Sequence, residues 1–411
     1  MKILMINSVS GIRSTGRICT DLADVLAREG HTVRIAYGRE SVPEAYRPLS
    51  VRIGTEAGVY ANSLKARLLD NEGFNAKGAT RRFLKWADGF DPDLLWLHNL
   101  HGYYIHLGIL FSWIRSRPNM KVRWTLHDCW AFTGHCAHFT LAKCDAWKTG
   151  CHSCKQKKSY PKSLFADRSK KNYLQKKRCF TGVKDMLLIT PSRWLADLVG
   201  QSFLGEYPVK VVHNSINTEI FQPTESDFRA RHALTDKKIV LGVATAWSES
   251  KGLSDFVRLA EILGDGYRVV LVGIPPEIAK TLPDTVLALP RTNSARELAE
   301  LYTAADFYVN LTYEDNFPTT NIEALASGTP VITYRTGGSP EIADASSGFV
   351  LEQGDVAGVA EIIRREGGKD KYREACIARA ARFDRRAAAG ELLAAIGITD
   401  EPDRENGGSD E

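Results

Sequence analysis

Two series of short apolar segments, each followed by a helical pattern, constrain the fold of this chain more than any other feature. Residues 2–7 are apolar and β-branched, a glycine-containing loop follows at 8–16, and apolar residues then recur at helical spacing over 18–26. Gly30 ends that helix, and residues 32–37 predict the next strand. Strands that alternate with helices favour parallel sheets covered by helices on both faces. Further strands are predicted at 94–98, 122–127 and 186–190 in the first series, and at 239–243, 268–272, 285–289, 307–311 and 331–334 in the second.

The two series predict an α/β protein of two domains, and the length of 411 residues allows both. Residues 1–200 are expected to form an N-terminal Rossmann-like domain, with a cysteine-rich and basic insertion at about 129–178. Residues 201–385 are expected to form a C-terminal Rossmann-like domain, and 386–411 the end of a C-terminal helix and a disordered acidic tail. With 44% hydrophobic and 25% charged residues, the composition excludes fibrous, wholly disordered and small disulfide-stapled proteins.

The sequence predicts neither export nor a membrane span. The apolar run that opens the chain is too short for a secretory signal, and the longest apolar stretches carry charges. We therefore expect a cytoplasmic protein, either free or peripheral on the inner face of the plasma membrane, whose 8 cysteines are reduced.

The most informative stretch begins where the strand at 307–311 ends and runs to Gly328, which ends a helix that opens near 319–321. In a parallel sheet this loop lies at the carboxyl edge, where α/β folds bind ligands, and the helix start offers unpaired N–H groups to an anion. Asp315 and Glu323 bracket that helix start, and carboxylates accept hydrogen bonds from sugar hydroxyls. Together these features indicate a nucleotide-sugar site. The alternative, for the two carboxylates taken alone, is an ordinary turn followed by a solvated helix residue.

This stretch resembles the Glu-x7-Glu region of the retaining nucleotide-sugar glycosyltransferases of family 4, which have the GT-B fold. Within that family, the chain is most similar to the subgroup associated with colanic acid and other bacterial exopolysaccharides. The resemblance implies two Rossmann-like domains whose parallel sheets face each other across a cleft. It covers about residues 2–390 and includes the segments 14–18, 98–104, 124–136, 191–195 and 336–341.

The resemblance implies four catalytic residues, which are His127, Lys251, Asp315 and Glu323. In the family, the first carboxylate contacts the donor sugar, the second holds the ribose, the lysine neutralises the leaving diphosphate, and the histidine contacts the donor sugar. Two positions depart from the pattern, because Asp315 stands where glutamate is usual and Ala246 stands where an arginine is usual. Taken singly, His127 is more typical of a core histidine and Lys251 of an exposed lysine at a helix start.

The resemblance also implies a set of donor-binding residues and an acceptor side. Gly16 would let the first loop approach the diphosphate, because glycine has no side chain. An arginine at 291 or at 335 could replace the charge that position 246 lacks. The acceptor side is implied to include Asn99 and His101. The implied donor-binding residues are Gly16, Arg291, Asn316, Phe317, Pro318, Thr319 and Thr320.

The reaction implied by the family is transfer of a sugar from a nucleotide-diphosphate sugar to a glycan or lipid-linked glycan, with retention of configuration. The products would belong to bacterial exopolysaccharide, capsule or lipopolysaccharide. No cofactor is expected for catalysis, because lysine, loop amides and a helix N-terminus can stabilise a departing diphosphate without a metal. These two departures and a third, Ser215 where the family's linker has glycine, leave a second hypothesis open, which is a catalytically silent scaffold that binds the sugar nucleotide.

Four cysteines suggest a structural zinc site, although the sequence leaves this about evenly balanced against a group of reduced thiols. The pair at 151 and 154 has the Cys-x-x-Cys spacing of half a zinc site, whereas the first pair is more widely spaced. A third hypothesis, a zinc-dependent hydrolase, has no His-Glu-x-x-His motif to support it. The four cysteines are Cys136, Cys144, Cys151 and Cys154.

Residues 155–178 contain ten basic residues and one acidic residue, a local charge of +9 in a chain whose formal net charge is +5. A solvated helix face is the ordinary explanation, and attraction to anionic lipid headgroups is the functional one. A nucleic-acid partner is not expected, because Tyr160, Phe165 and Tyr173 are the segment's only aromatic residues available for stacking.

Overall fold

The computed structural model describes residues 1–397, so the predicted acidic tail from residue 398 onward lies outside the described residues. Within this range the chain forms two lobes, each built around one parallel sheet of seven or six strands. Helices cover the faces of both sheets, as the alternation of strands and helices predicts.

The first lobe contains the first seven strands and six helices. Its strand order is β3-β2-β1-β4-β5-β6-β7, so the chain starts at the centre, fills one edge and then returns to fill the other. Its strands are β1 (Lys2–Asn7), β2 (Thr32–Tyr37), β3 (Ser50–Arg52), β4 (Leu94–Leu97), β5 (Lys121–Thr125), β6 (Met186–Thr190) and β7 (Val209–Val211). Its helices are α1 (Arg13–Arg28), α2 (Glu56–Leu69), α3 (Lys77–Phe90), α4 (Leu107–Arg115), α5 (Ser169–Phe180) and α6 (Arg193–Gly200).

The second lobe repeats this plan with the strand order β10-β9-β8-β11-β12-β13. In each sheet the order reverses beside the first strand, between β1 and β4 or between β8 and β11, and such switch points open ligand crevices at the carboxyl edge. Its strands are β8 (Lys238–Val243), β9 (Tyr267–Val272), β10 (Val286–Leu289), β11 (Phe307–Asn310), β12 (Val331–Tyr334) and β13 (Gly348–Leu351). The helices that follow the first lobe are α7 (Phe228–Arg231), α8 (Leu253–Leu263), α9 (Pro276–Ala279), α10 (Ala295–Ala304), α11 (Thr319–Ala326), α12 (Val356–Glu366), α13 (Arg373–Ala381) and α14 (Arg385–Ala395).

The last helix returns from the second lobe to the first. Leu393 of α14 and Ile396 just after it are buried against Ile3, Leu94 and Trp96 of the first sheet. Six short 3-10 turns complete the described structure, at Glu44–Leu49, Trp130–Phe132, Ala146–Lys148, Glu249–Lys251, Ser339–Glu341 and Asp370–Tyr372. None of the helices within residues 1–397 combines the length and the apolar character needed to cross a bilayer.

All ten strands predicted from the sequence are present, with bounds within two residues of those observed. The edge strands β3, β7 and β13 were not predicted, and β7 lies a few residues beyond the predicted domain boundary at 200. The first helix begins at Arg13 and not after Gly16, so that glycine lies inside α1.

Candidate active site

The carboxyl ends of β8 and β11 open onto a pocket of about 260 Å3 between the lobes. The second lobe supplies most of its wall through the loop after β8, Lys251, Asp315 and the segment 317–320. The first lobe contributes Ser14, from the first turn of α1. The pocket therefore lies at the switch point of the second sheet, facing the first lobe.

Lys251 and Asp315 form an ion pair at this pocket. The Lys251 Nζ lies 2.8 Å from Asp315 Oδ2, and it also donates to the carbonyl of Glu314 at 3.3 Å. Gly252 makes this approach possible, because its φ is +73° and a Cβ there would lie 2.3 Å from the Leu311 carbonyl oxygen. Gly252 of the Lys-Gly pair thus packs against the residue that follows β11, and this packing places Lys251 at the end of that strand.

The loop that carries Asp315 is held by backbone contacts from a second glycine pair. Gly338 N donates to the Asn316 carbonyl at 2.7 Å. A Cβ on Gly337, whose φ is +53°, would lie 2.0 Å from the Asp315 carbonyl oxygen. The neighbouring Glu314 points away from the pocket, because its Oε1 accepts from Leu141 N of the first lobe at 3.1 Å. Glu314 therefore does not replace Asp315 in the pocket.

The amino end of α11 faces the pocket without a side-chain cap. Pro318 stands at the N-cap position, where its side chain cannot accept a hydrogen bond, and Thr319 and Thr320 open the helix. Both threonines and Phe317 line the pocket. The first amides of a helix carry a partial positive charge, so this end of α11 is suited to an anionic group.

Glu323 lies one turn further along α11 and is largely buried. Its Oε2 accepts a hydrogen bond from Tyr302 Oη at 3.0 Å. Burial raises the pKa of Glu323 to about 7, although hydrogen bonds from Tyr302 and Thr319 and the charge of Arg17 oppose the increase. Arg17 belongs to α1, so a first-lobe charge acts on a second-lobe carboxylate.

His127 follows β5 by two residues and stacks on His98 at a centroid distance of 5.4 Å. The His127 Nε2 and His98 Nδ1 atoms are 3.1 Å apart. Burial lowers the pKa of His127 to about 4, and Asp128 only partly offsets this effect. His127 is therefore neutral at pH 7, which suits hydrogen bonding to a sugar hydroxyl better than pairing with a phosphate.

Asn316 joins the lobes next to this histidine. Its Oδ1 accepts from Ser192 Oγ at 2.8 Å, and its Nδ2 donates to the His127 carbonyl at 3.1 Å. The side chain is buried, so both hydrogen bonds are shielded from water. The structure thus brings His127 and the loop of Asp315 together through a polar contact.

Three of the implied donor-binding residues do not line the pocket, namely Gly16, Arg291 and Asn316, and the Asn316 side chain instead makes the contacts between the lobes described above. Gly16 is buried inside α1, where a Cβ would meet Val9 Cγ2 at 3.0 Å, so it packs against the first loop. Arg291 is exposed, and its Nη2 donates to the carbonyl of Thr245 at 2.6 Å, beside the pocket wall.

The implied acceptor side lies at the carboxyl edge of the first sheet. Asn99 N donates to Asn7 Oδ1 at 3.2 Å. His101 Nε2 pairs with Asp128 Oδ2 at 2.9 Å, and its Nδ1 lies 2.9 Å from Tyr160 Oη. Burial alone would raise the pKa of Asp128, but His101 and other polar neighbours lower it to about 2.

The four cysteines of the insertion lie around one small pocket, together with His135 and His152. The Cys151 thiol accepts a hydrogen bond from Gly134 N at 3.1 Å. A hydrogen bond between the thiols of Cys136 and Cys154 lowers the pKa of Cys154 and raises that of Cys136. Among residues 1–397, no three His, Cys, Asp or Glu side chains are arranged to hold a metal ion. Zinc binding by Cys136, Cys144, Cys151 and Cys154 therefore stays a prediction from their spacing in the sequence.

Three residues at the site were missed by sequence reasoning. Tyr302 lies in α10, and the hydrogen bond that it donates to Glu323 has no signal in the sequence. Ser192 follows β6 and caps α6, so its position after a strand was the available signal for a cleft residue. Ser14 lay within a segment of the family resemblance but was not assigned to the pocket.

Comparisons with known proteins agree with this geometry. Residues 15–220 match the family model described as Glycosyltransferase Family 4, and residues 224–383 match the one described as Glycosyl transferases group 1. Over 380 residues the chain is 25% identical to an Escherichia coli K12 protein named as a colanic acid biosynthesis glycosyl transferase, WcaC, covering 89% of this chain and 91% of that protein. Over 201 residues it is 29% identical to D-inositol 3-phosphate glycosyltransferase of Mycolicibacterium smegmatis, covering 44% of this chain and 46% of that protein.

Two solved structures share the two-lobed fold. Sucrose-phosphate synthase of Thermosynechococcus elongatus has a TM-score of 0.67 at 17% identity, covering 95% of this chain and 97% of that chain. HepE of Anabaena, solved in complex with UDP, has a TM-score of 0.63 at 15% identity, covering 97% of this chain and 100% of that chain. These similarities confirm the predicted GT-B architecture of two parallel-sheet lobes.

Proposed function

The chain belongs to glycosyltransferase family 4, and on that premise we propose that it transfers a sugar from a nucleotide-diphosphate sugar to a glycan acceptor of a bacterial surface polysaccharide. The observation that carries the donor assignment is one pocket lined by a lysine, a carboxylate and an uncapped helix start, with a second carboxylate one turn further along that helix. Lysine and amides suit a diphosphate, whereas carboxylates suit hydroxyls. One relative supports a bacterial surface polysaccharide as the product, since the matched Escherichia coli protein is named for colanic acid biosynthesis.

In the proposed reaction, positive charge develops on the sugar ring and negative charge on the departing diphosphate. Lys251 and the amides at the start of α11 would stabilise the departing diphosphate, and no cofactor is invoked. Lys251 pairs with Asp315 in the ligand-free pocket, so donor binding would replace or share that contact. Retention of configuration is proposed from family membership alone.

The remaining groups would orient the donor. Glu323 would accept hydrogen bonds from the ribose hydroxyls, with Tyr302 fixing the position of its carboxylate. The neutral His127 would contact the sugar, near the Asn316 contact that joins the lobes. Asn99 and His101 would face the acceptor at the edge of the first sheet, and we propose a lipid-linked glycan as that acceptor.

Thermal unfolding in the presence of nucleotide sugars tests this proposal. A ligand that binds only the folded protein stabilises it by about 2.7 kcal/mol at one hundred times its Kd. We expect at least one member of a panel of UDP-, GDP- and dTDP-sugars to raise the Tm of the wild type. The variant Lys251→Ala should lose this shift, and Lys280→Ala, an exposed lysine elsewhere in the second lobe, should keep it. No shift with any donor would refute the proposed donor class.

A turnover assay separates the enzyme from the silent scaffold. Both would bind the donor, but only the enzyme would release nucleoside diphosphate over time, by transfer or by slow hydrolysis. The scaffold hypothesis rests on three departures from the family pattern, the aspartate at 315, the alanine at 246 and the serine at 215. Donor binding without any release, across several acceptor glycans, would favour the scaffold.

A further inference from the structure

A second pocket lies between helices α1 and α14, on the face of the first sheet that both helices cover. It shares no lining residue with the donor pocket described above, and the linker 212–215 between the lobes forms part of its wall. His98 and His127, which follow β4 and β5, line it at the carboxyl edge of the sheet. This cavity is called the α1–α14 pocket below. The other residues that line it include Ile18, Asp21, Leu22 and Val25 of α1 and Ala388 and Leu392 of α14.

The α1–α14 pocket has the size of a small ligand. Its volume is about 210 Å3. A single water molecule needs about 10–15 Å3, so the space exceeds that of one water many times. Sites for drug-sized ligands have volumes of about 300–1,000 Å3, which is larger than this pocket. The pocket is therefore matched to a molecule of one substituted ring.

His98 provides a buried polar atom for such a molecule. Its side chain is 2% exposed, and it stacks on Trp96 and on His127. The His98 Nδ1 atom lies 3.1 Å from His127 Nε2, whereas His98 Nε2 has no hydrogen-bonding partner among residues 1–397. Buried polar atoms in folded proteins are nearly always paired, because leaving them unpaired is costly. A molecule in the pocket that His98 lines can supply the missing partner.

The chemistry of His98 Nε2 suits a hydroxyl group. Burial lowers the pKa of His98 well below its usual value, and the neighbouring His127 lowers it further, so the ring is neutral. In the hydrogen bond between the two rings, either His127 Nε2 or His98 Nδ1 can be the donor. In the first case His98 Nε2 carries a proton and needs an acceptor, and in the second case it has a lone pair and needs a donor. A hydroxyl group can fill both roles, whereas a carboxylate or an ammonium group can fill only one.

Thr125 and the aliphatic walls add the other features of a small-molecule site. Thr125 Oγ1 accepts a hydrogen bond from Trp96 Nε1 at 2.9 Å, so the hydroxyl of Thr125 keeps its own proton as a donor. Aliphatic side chains from both helices and from the sheet surround these polar groups, and such walls pack against the C–H groups of a ligand. The aliphatic side chains are Ile18, Leu22, Val25, Ile189, Val212 and Leu392.

The charged side chains at the pocket balance one another. Two carboxylates and three arginines line it, and Glu219 accepts hydrogen bonds from two of these arginines at 2.8 and 2.5 Å. Three negative charges thus stand against three positive charges, so the pocket favours neither an anion nor a cation. The lining carboxylates are Asp21 and Asp24, and the lining arginines are Arg28, Arg385 and Arg386.

We propose that the α1–α14 pocket binds an uncharged molecule that carries hydroxyl groups and has about the size of one sugar ring. His98 Nε2 and Thr125 Oγ1 bind its hydroxyl groups, and the aliphatic walls cover its C–H face. The ring is either a free monosaccharide or the end unit of a glycan, since both offer the same hydroxyl and C–H groups.

The two stacked histidines connect this pocket to the donor side. A ligand hydroxyl that donates to His98 Nε2 leaves the shared proton on His98 Nδ1, and one that accepts from His98 Nε2 leaves it on His127 Nε2. The occupant therefore sets which nitrogen of His127 carries a proton beside the donor sugar. This step rests on the proposed function of His127, whereas binding to the α1–α14 pocket does not.

Saturation-transfer difference NMR with the full chain tests the inference. The probes are D-glucose, D-galactose and D-mannose, each compared with its uronate, which differs by one negative charge. We expect at least one neutral sugar to bind the wild type, and its uronate to bind at least about tenfold more weakly, because the pocket offers no unbalanced positive charge. His98→Phe keeps a ring beside His127 but has no Nε2, and should weaken binding of that sugar by about two- to tenfold.

Two tryptophan substitutions on α14 provide a matched pair. Ala388 lines the pocket, whereas its neighbour Ala387 is exposed and does not line it. We expect Ala388→Trp to abolish the sugar signal, because the indole ring occupies the pocket, and Ala387→Trp to keep it. Circular dichroism and the Tm check that both variants fold. Equal signals from the two variants, or no wild-type signal with any neutral sugar, would overturn the inference. A uronate that binds as well as its sugar would overturn the uncharged ligand class.

The methyl glycoside of the sugar that binds separates the two sources of the ring. Its anomeric oxygen is substituted, as in a glycan. Binding equal to that of the free sugar would support the end unit of a glycan, and loss of binding would support a free monosaccharide.

Competition separates this pocket from the donor pocket. A nucleoside diphosphate and its complete sugar nucleotide should both leave the monosaccharide signal unchanged. Ala388→Trp should also keep the rise in Tm that a nucleotide sugar gives, because Ala388 lies outside the donor pocket. Displacement by the sugar nucleotide but not by the nucleoside diphosphate would make this pocket part of the donor site and overturn the inference. A wild type that binds a monosaccharide here but no nucleotide sugar would refute the proposed function and leave the inference standing.

Discussion

Lys251 and Asp315 form an ion pair at the pocket, although Asp315 stands where glutamate is usual in the family. The shorter side chain still reaches the lysine, because Gly252 brings the backbone of Lys251 against the end of β11. A bound diphosphate would compete with Asp315 for the same ammonium group. The ion pair thus holds the Lys251 ammonium group beside Asp315 at the pocket.

Replacing Lys251 tests its role at the leaving group. We expect Lys251→Ala to lower kcat by about 10²-fold, because one preorganised positive group no longer stabilises the departing diphosphate. Steady-state kinetics with saturating donor measure this change, and circular dichroism checks that the fold is intact. Lys280→Ala serves as the control for a lost surface lysine. An unchanged kcat in folded Lys251→Ala would remove the lysine from the mechanism.

Glu323 makes a second prediction, which concerns pH. Its pKa is raised from 4.5 to about 7, so the folded protein holds a proton there that the unfolded chain has already released. The free energy of unfolding therefore falls as pH rises from about 4.5 to 7, and the loss is complete above that range. Glu323→Gln should be more stable than the wild type at pH 8, by roughly 2–3 kcal/mol, and nearly equal to it at pH 4.

Denaturant unfolding of both proteins at the two pH values measures this difference.

The same ionisation of Glu323 predicts tighter binding of a nucleotide sugar at pH 8 than at pH 6 in the wild type, because only the ionised carboxylate accepts hydrogen bonds from two hydroxyls. Calorimetric titration with the sugar nucleotide, whose phosphates do not titrate in this range, measures it. Tyr302→Phe removes the hydrogen bond to Glu323 while keeping the buried ring, and should weaken donor binding by a few-fold. If the difference in unfolding free energy between Glu323→Gln and the wild type did not change with pH, it would contradict the raised pKa of Glu323.

Sequence patterns identified single residues of the site better than their pairings. The carboxylates, the lysine and the loop at 316–320 were named from the family motif; Lys251, Asp315 and 317–320 line one pocket, and Glu323 lies one turn further along α11. The ion pair between Lys251 and Asp315 was not predicted, since it depends on how closely two loops approach after the lobe has folded. Gly16 was assigned to the diphosphate, but the helix starts three residues earlier and buries it.

At the scale of elements, the insertion between β5 and β6 acts as a brace for the donor loop. Thr140 Oγ1 donates to the Tyr313 carbonyl at 3.3 Å, and Leu141 N donates to Glu314 Oε1 at 3.1 Å. Both contacts fix the backbone immediately before Asp315. The insertion is itself tied to α5 by Lys176, whose Nζ donates to the carbonyls of Trp130 and Thr133 at 2.7 and 3.2 Å.

The buried lysine provides a test of this brace. Burial lowers the pKa of Lys176 to about 7, and its ammonium lies 3.4 Å from the Trp130 ring centroid. We expect Lys176→Ala to reduce the free energy of unfolding by about 2–4 kcal/mol, because it leaves a cavity and two buried carbonyls without donors. Lys177→Ala, at the exposed neighbouring position, should change it by less than about 0.5 kcal/mol. Similar unfolding midpoints for the two variants in guanidinium chloride would contradict the structural role of Lys176.

The elements that sequence patterns missed share a physical cause. Strands β3 and β7 have three residues each and lie at the edges of the first sheet, so neither carries a buried apolar run. Helix α2 buries one residue, and its exposed apolar row gives no signal of packing against a core. Central strands such as β1 and β4 are nearly fully buried, and their apolar runs made them easy to predict.

At the scale of the whole molecule, polar contacts hold the lobes together in the arrangement that is called closed below. Glu341 of the second lobe accepts from Arg193 N and Trp194 N, the first amides of α6, at 2.9 and 3.0 Å. Asn316 bonds to the neighbouring Ser192 and to the His127 carbonyl, and the insertion adds the bonds from Thr140 and Leu141 described above. Helix α14 adds a covalently continuous tie, because it crosses back and packs on the first sheet. Opening the cleft therefore breaks a few polar contacts while α14 stays attached.

Glu341 is suited to test this arrangement, because it lies outside the donor pocket and its carboxylate meets the positive end of α6. We expect Glu341→Ala to cost the closed form about 1–2 kcal/mol, since it removes two hydrogen bonds to a helix start. The open population then rises about five- to thirtyfold, so the donor KM should increase while kcat at saturation changes little. Small-angle scattering should show a larger radius of gyration without donor and a return toward the wild-type value with it. Glu352→Ala removes an ion pair to Arg335 within the second lobe and should alter neither quantity. If Glu341→Ala kept the wild-type radius of gyration and the wild-type KM, the other contacts between the lobes, including those of α14 and Asn316, would hold the closed arrangement without this carboxylate.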